Sequence, residues 1–298
     1  MSPTRSDGYR LLRDYLRGDC GLSLSMAKLH VAEARLRDLV RAEDLDDLGA
    51  LVLRARAESS QRLKRRIIAS MCTGETSWFR DEGPFRLFTE TLLPRWEDEL
   101  RAGTRTGIRL WSAACATGQE AYSLAMAVLE RAGSSDVLRP HHLELLATDI
   151  DEDAVSQARQ GLYPDFAMEA LDPALRERWF TRDERRWRID AAVRARVRVE
   201  SFNLQDPVDG LGPFDLVLVR NAAAFFTDAF RRDLFARLRG VLAPGGRLLL
   251  GATETLGMAA AGWAPVDDGR AISYRLADDD PRAVAPGMRE RSLEAREL

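Results

Sequence analysis

The sequence predicts an α/β protein in which a mostly parallel sheet follows a small all-helical N-terminal domain. Three observations carry that expectation. From Gly8 to about Ser70 there is no proline and no alternating pattern, only apolar residues at helical spacing. Beyond about residue 72, short apolar runs alternate with helical stretches, as they do where helices cover both faces of a parallel sheet. Small-residue and acidic turns follow the first two runs, where such sheets bind ligands.

In order along the chain, Leu11, Leu12, Tyr15 and Leu16 share one helical face, and Leu36, Leu39 and Val40 another. Leu48, Leu51 and Val52, then Leu63, Ile67, Ile68 and Met71, complete an N-terminal domain expected over residues 1–72. Within it Arg54, Arg56, Arg62, Lys64, Arg65 and Arg66 form a basic stretch, ordinarily a solvated helix surface. Strands are expected at Ile108–Ala113, Leu143–Thr148, Phe214–Val219 and Arg247–Gly251. Helices are expected at Ala121–Arg131, Glu152–Gln160 and Ala229–Val241. Pro244-Gly245-Gly246 reads as a tight turn feeding the last strand. The α/β domain is expected over 73–276, and 277–298 reads as a flexible charged tail.

Bulk properties narrow the function. The chain has 298 residues, 45% hydrophobic and 31% charged, enough for a sizeable core. A net charge of −3 excludes nucleic-acid binding that relies on global charge. Cys20, Cys72 and Cys115 are odd in number and lack metal-ligand spacing, which implies a reducing compartment and no metal centre. The opening MSPTRSDGYR lacks the apolar stretch of a signal peptide, and no run approaches ~20 apolar residues. A cytoplasmic protein without membrane insertion is expected.

Between the first strand and helix stands Ala113-Ala114-Cys115-Ala116-Thr117-Gly118. Small side chains let a ligand approach the backbone, and Gly118 can take conformations closed to other residues. The stretch lacks the triple-glycine fingerprint and the phosphate-binding lysine, so a pyrophosphate is disfavoured. The second strand ends in LLATDID, placing Asp149 to accept hydrogen bonds from a ribose diol. Separately, Gly118 could be plain turn chemistry and Asp149 a helix cap. Their order and spacing favour a nucleoside ligand, and S-adenosylmethionine (SAM) over a dinucleotide.

Five segments together resemble the CheR-type chemoreceptor glutamate methyltransferases. TSWFRD (Thr76–Asp81) is similar to that family's Thr-x-Phe-Phe-Arg segment, and WSAACATGQEAYSLAM to its Trp-Ser-x-x-Cys-Ser-Thr-Gly-Glu-Glu-Pro-Tyr-Ser motif. ATDIDEDAVSQARQGLYP resembles its Asp-Ile-Asp segment, FDLVLVRN its strand ending in Arg-Asn, and LAPGGRLLLGATETL its late Pro-Gly-Gly strand with a following Glu. The likeness runs in consistent order over about residues 8–276.

The resemblance implies a Rossmann-like SAM-dependent methyltransferase sheet with the helical domain in front and a small inserted β-subdomain, expected at 179–198. It implies that SAM is the cofactor and S-adenosylhomocysteine (SAH) the product. Thr76 and Arg80 would line the methyl-transfer site, with Arg80 orienting the incoming carboxylate. Gly118 would shape the turn, Glu120 bind the methionine end, Asp149 the ribose, Asn203 and Leu204 the adenine, and Arg220 with Asn221 close the far wall. An acceptor glutamate is already ionised near neutral pH, so no catalytic base is needed and His30, His141 and His142 are incidental.

The chain departs from the family's pattern at RNAAAFF. Phe225 stands where the family has an active-site tyrosine, and Ala222, Ala223 and Ala224 replace larger aliphatic residues. Gln119, Ala121 and Trp78 are smaller changes. The subdomain stretch TRDERRW lacks the glycine of members that grip a receptor's C-terminal peptide. The expected partner is therefore the acidic cytoplasmic methylation helices of chemoreceptors, met through Arg54, Arg62, Arg65 and Arg66 by a monomer without such a tether. The rival expectation is a catalytically weakened SAM-binding regulatory protein; a small-molecule methyltransferase is disfavoured by the helical domain.

Overall fold

The computed structural model describes residues 5–24, 29–59, 61–72 and 74–279. Of the expected tail, only Ala277–Asp279 falls inside this range, as a 3-10 turn; residues 280–298 lie outside the described residues.

The helical region comprises α1 (Arg5–Cys20), α2 (Leu29–Ala42), α3 (Leu48–Ala57) and α4 (Arg62–Met71). Their apolar faces meet in one core containing Tyr9, Leu12, Tyr15, Leu36, Leu51 and Ile67, so the helical spacing of these residues reflects burial. Asp47 starts α3 by accepting the Ala50 N–H at 2.8 Å. A second helical rod follows: α5 (Glu82–Leu87), a π turn (Phe88–Leu92) and α6 (Leu93–Arg101). Pro94 lies where the rod resumes α geometry and has no N–H to give the preceding turn, which accounts for the break in hydrogen-bond register.

The main sheet has seven strands: β1 (Ile108–Ala113), β2 (Leu143–Asp149), β6 (Val197–Ser201), β7 (Phe214–Val219), β8 (Leu242–Leu250), β9 (Trp263–Asp267) and β10 (Ile272–Leu276). The order is β6-β2-β1-β7-β8-β10-β9. The first five are parallel, and β10 runs antiparallel to β8 and β9. Helices α7 (Gln119–Ser134), α8 (Glu152–Gln160) and α11 (Asp228–Leu238) fill the crossovers. All six residues of β7 are buried, as a central strand covered on both faces requires. Its one acid, Asp215, is matched there by Arg105 at 2.5 Å and the Arg109 N–H at 2.8 Å. Among the described residues no helix is long and apolar enough to cross a membrane.

Two expectations need correction, and one feature of the sheet lies outside them. The inserted sheet is not confined to 179–198: it begins with β3 (Leu162–Pro164), which pairs with β5 (Arg186–Ile189), itself paired with β4 (Phe180–Asp183). Val197 and Arg198 belong instead to β6 of the main sheet; α9 (Pro173–Trp179) and α10 (Ala191–Arg194) complete the insertion. Pro244-Gly245-Gly246 does not precede the last parallel strand but sits inside β8. Between Phe214↔Leu242 and Leu216↔Arg247 two residues of β7 face a longer stretch of β8, so the glycines form a bulge. The antiparallel edge, β10 and β9, has no strong alternation and was not anticipated.

Candidate functional site

The sheet changes direction of growth between β1 and β7, and the loops leaving β1, β2, β6 and β7 open there into a cleft, the usual place for a ligand in such a sheet. Ala114 and Ala116 come from the first loop, Asp149 to Asp151 from the second, Phe202 to Leu204 from the third, and Asn221, Ala222 and Phe225 from the fourth. The helical region supplies the opposite wall with Leu22, Ile68 and Cys72. No local pattern announces that wall, because the cleft joins segments remote along the chain, such as Leu22 and Phe226.

The site is also where backbone strain collects. Of the eight non-glycine residues with positive φ among the described residues, Phe79, Asp81, Ala114, Ala116 and Asn221 lie in the segments that build it. The β1–α7 turn holds two such alanines plus Gly118 at φ +93°. Gly118 is required for space as well as conformation: a Cβ would stand 2.9 Å from Ala158 Cβ and 3.1 Å from the Tyr122 ring. Its neighbours are thus packing groups of α7 and α8, and it shapes the turn from behind while the alanines face the cleft.

Asp149 fixes this turn. Its Oδ2 accepts the Ala116 N–H at 2.7 Å and its Oδ1 the Asp151 N–H at 3.0 Å. Burial pushes its pKa up, opposed by these hydrogen bonds. Each oxygen keeps a lone pair, so Asp149 can still accept a pair of hydroxyls. Beside it Ile150, Ala154, Phe202 and Leu204 give apolar walls suited to a purine ring. These residues fit a nucleoside.

Glu120 and Arg220 stand differently from expectation. Arg220 does not close a wall of the cleft; its side chain is 1% exposed and lies beneath the site. It reaches Glu120 Oε2 at 2.8 Å and Asp81 Oδ2 at 3.0 Å, and donates to the Arg80 carbonyl. Glu120 Oε1 takes the Ser112 hydroxyl at 2.6 Å. Both Glu120 oxygens are therefore engaged within the protein. The physical reason is burial: an arginine this deep must be paired. Neither Asp81 nor Ser112 carried a sequence signal beyond its place beside a motif.

Arg80 is half-buried and folds back on its own segment, donating to the Glu75 carbonyl at 2.8 Å, while Gly74 and Glu75 edge the cleft next to Thr76. The segment is anchored by the Phe79 N–H on Ser123 Oγ at 3.0 Å. Trp78 stacks edge-on against Tyr163 and Phe180 at 4.8 and 5.1 Å, tying it to the inserted sheet. Asn203 faces the cleft but donates to the Asp19 carbonyl at 3.1 Å, so it also holds the helical region.

The helical region is clasped to the loop after β7 by backbone hydrogen bonds and by Phe226, which packs against the helical core. Ser23 N–H donates to the Phe225 carbonyl at 2.8 Å, and Thr227 N–H to the Gly21 carbonyl at 2.7 Å. Phe225, at 38% exposure, thus sits between the two parts, its ring toward the cleft. The expected basic face is less open than its composition suggests. Arg62 and Arg66 share Glu43 at 3.0 and 3.1 Å, Arg62 also nears Glu58, Arg65 pairs with Glu152 and Lys64 with Asp19. The Arg62 hydrogen bond holds the Glu43 carboxyl below its usual range. Arg54, in the last turn of α3, acts on the same Glu43 carboxyl through its charge.

Residues 74–268 match the family model described as CheR methyltransferase, SAM binding domain. The chain is 35% identical over 258 residues to chemotaxis protein methyltransferase 1 of Pseudomonas aeruginosa, covering 86% of this chain and 92% of that one. It is 33% identical over 250 residues to the chemotaxis protein methyltransferases Cher2 of Pseudomonas putida (83% and 90% covered) and of Vibrio parahaemolyticus (83% and 89%). With a family domain spanning most of the chain and relatives matched nearly end to end, the chain belongs to the CheR family of SAM-dependent methyltransferases.

Proposed function

We propose that this chain methylates glutamate side chains on the cytoplasmic methylation helices of chemoreceptors, as part of chemosensory adaptation. The observation that carries the reading is the cleft itself. A nucleoside-compatible pocket at the sheet's switch point is walled on one side by a separate helical region, which a macromolecular acceptor can engage. The relatives' names, chemotaxis protein methyltransferases, support the same acceptor class.

SAM, when bound, supplies an electrophilic methyl group. The chain's own task is to place a carboxylate in line with it and to exclude water. An exposed glutamate has a pKa near ~4.3 and is ionised at neutral pH, so no residue need remove a proton. The lining of the cleft agrees with that economy: its one thiol, Cys72, is pushed up to about 12 by burial and by Asp149 and Asp151, and is no nucleophile at neutral pH. Asp149 would hold the ribose, and Asn203 and Leu204 the base. Glu120 would reach the methionine ammonium only by sharing its carboxylate with Arg220. Arg80 would turn from the Glu75 carbonyl to meet the acceptor carboxylate, and Phe225 would cover the reacting centre without a hydroxyl.

The acceptor helices would lie against α3 and α4, where Arg54, Arg62, Arg65 and Arg66 keep outward faces despite their partners. The turn at Glu184-Arg185 supports independence from a receptor tether, because the hairpin between β4 and β5 closes with only these two residues and no glycine. A regulatory role without transfer is not favoured by the family match. The direct test is mass spectrometry of receptor fragments after incubation with SAM. Methylation mapped to glutamates supports the reading, and methylation confined to other side chains contradicts it.

A further inference from the structure

Glu254 belongs to none of the residues assigned above to cofactor or acceptor, yet three backbone N–H groups converge on its carboxylate. Oε2 accepts from Asn221 at 2.7 Å and from Gly251 at 2.9 Å, and Oε1 from Ala224 at 3.0 Å. Two donors lie in the loop after β7 and one at the end of β8. An ionised carboxylate is acceptor-only, with room for several donors, and is the side chain best suited to such a cluster.

The loop it gathers is a wall of the cleft: Asn221, Ala222, Phe225 and Phe226 all face it. Side-chain packing defines only part of this loop: Ala223 is buried in the core and Phe226 packs beside it. Ala222 and Ala224 offer one methyl each, Phe225 is 38% exposed, and Asn221 holds φ at +57°. A non-glycine residue kept there needs compensation from its surroundings. The far end of the loop is fixed by Gly21 and Ser23, and the near end by Glu254.

We propose that Glu254 is a positioning residue of the methyltransferase site. Its carboxylate sets the conformation of Asn221–Phe225, and so the shape of the cofactor cleft, acting through the loop and not on the reacting atoms. Gly251 is the complementary half of the device. A Cβ at 251 would stand 2.8 Å from Glu254 Oε2 and 2.9 Å from Asn221 Nδ2, so a larger residue would push the carboxylate off its donors.

The inference rests on the SAM reading of the cleft but not on the identity of the acceptor, so it is tested by SAH binding to the full chain in calorimetry. Glu254→Gln keeps the size but turns one acceptor into a donor facing an N–H. It should weaken SAH binding roughly 10- to 100-fold, the equivalent of losing one or two hydrogen bonds to a charged group. Gly251→Ala, with the carboxylate intact, should act in the same direction. Hydrogen exchange at the Asn221 and Ala224 amides should quicken in both variants. Asp172→Ala is the control for simple structural loss. It removes a carboxylate capping two N–H groups of α9, at 2.8 and 3.3 Å, far from the cleft, and should leave SAH affinity within about twofold. Wild-type binding of SAH with an equal affinity for Glu254→Gln overturns the inference alone, as does an equal loss in Asp172→Ala. A wild-type chain that binds no SAH overturns the cofactor reading and the inference with it.

Discussion

Arg220 Nη1 lies 2.8 Å from Glu120 Oε2, with the two side chains 1% and 11% exposed, and the same guanidinium reaches Asp81 at 3.0 Å. One buried arginine therefore joins the first turn of α7, the end of β7 and the segment carrying Arg80. Removing it strands a carboxylate with little access to water. Arg220→Met should cost about 3–5 kcal/mol in urea unfolding, the usual cost of breaking a buried pair. A loss below about 1 kcal/mol would mean that the pair is open to solvent.

Gly21 should tolerate no side chain. Its φ is +68° and a Cβ would fall 2.2 Å from the Phe230 ring, so Gly21→Ala combines left-handed strain with overpacking, together about 2–5 kcal/mol. Because the Gly21 carbonyl takes the Thr227 N–H, the clasp on the Phe225 loop should loosen as well. Thermal unfolding and SAH affinity should both fall, and a change in neither would show that the clasp is dispensable.

The buried carboxyl of Asp149 predicts a pH dependence. Burial raises its pKa in the folded chain, so the folded state holds this proton more tightly than the unfolded state. Its contribution to stability therefore declines as pH rises from the ordinary value of ~3.9 through the raised folded value. Binding has the opposite sign, since a ribose diol favours the ionised form. SAH affinity should weaken on acidification at a pH above the ordinary carboxylate range, and Asp149→Asn should bind weakly at every pH. An affinity that stays flat down to pH ~4 would dissociate Asp149 from the ribose.

Charge reversal of Arg62 and Arg65 together should raise KM for receptor fragments several-fold and flatten or invert its salt dependence, while SAH affinity holds. The effect is bounded because Glu43, Glu58 and Glu152 already neutralise part of this face. Unchanged KM would move the acceptor surface elsewhere.

Much of this site was legible because it depends on chain-local rules. A small-residue turn after β1 and an acid ending β2 follow from where parallel sheets bind ligands, and Asp149 is found lining the cleft. What escaped depends on contacts remote in sequence. Nothing local distinguishes a glutamate free to meet a ligand from one held by an arginine 100 residues away, so Glu120 and Arg220 were read as ligand contacts. The Pro-Gly-Gly turn hid a bulge because a bulge is defined by the partner strand. Glu254 stands in the late Pro-Gly-Gly segment that carries the family resemblance, but its role depends on donors from the loop after β7, about 30 residues away.

The most direct test of the account is transfer of labelled methyl from SAM to cytoplasmic chemoreceptor fragments, with the label challenged by mild base and SAH binding measured on the same preparation. The account predicts SAH binding and base-labile label on the receptor, with Phe225 sufficient in place of a tyrosine. SAH binding with no label on any receptor, restored by Phe225→Tyr, would contradict it and identify a cofactor-binding chain that has lost transfer.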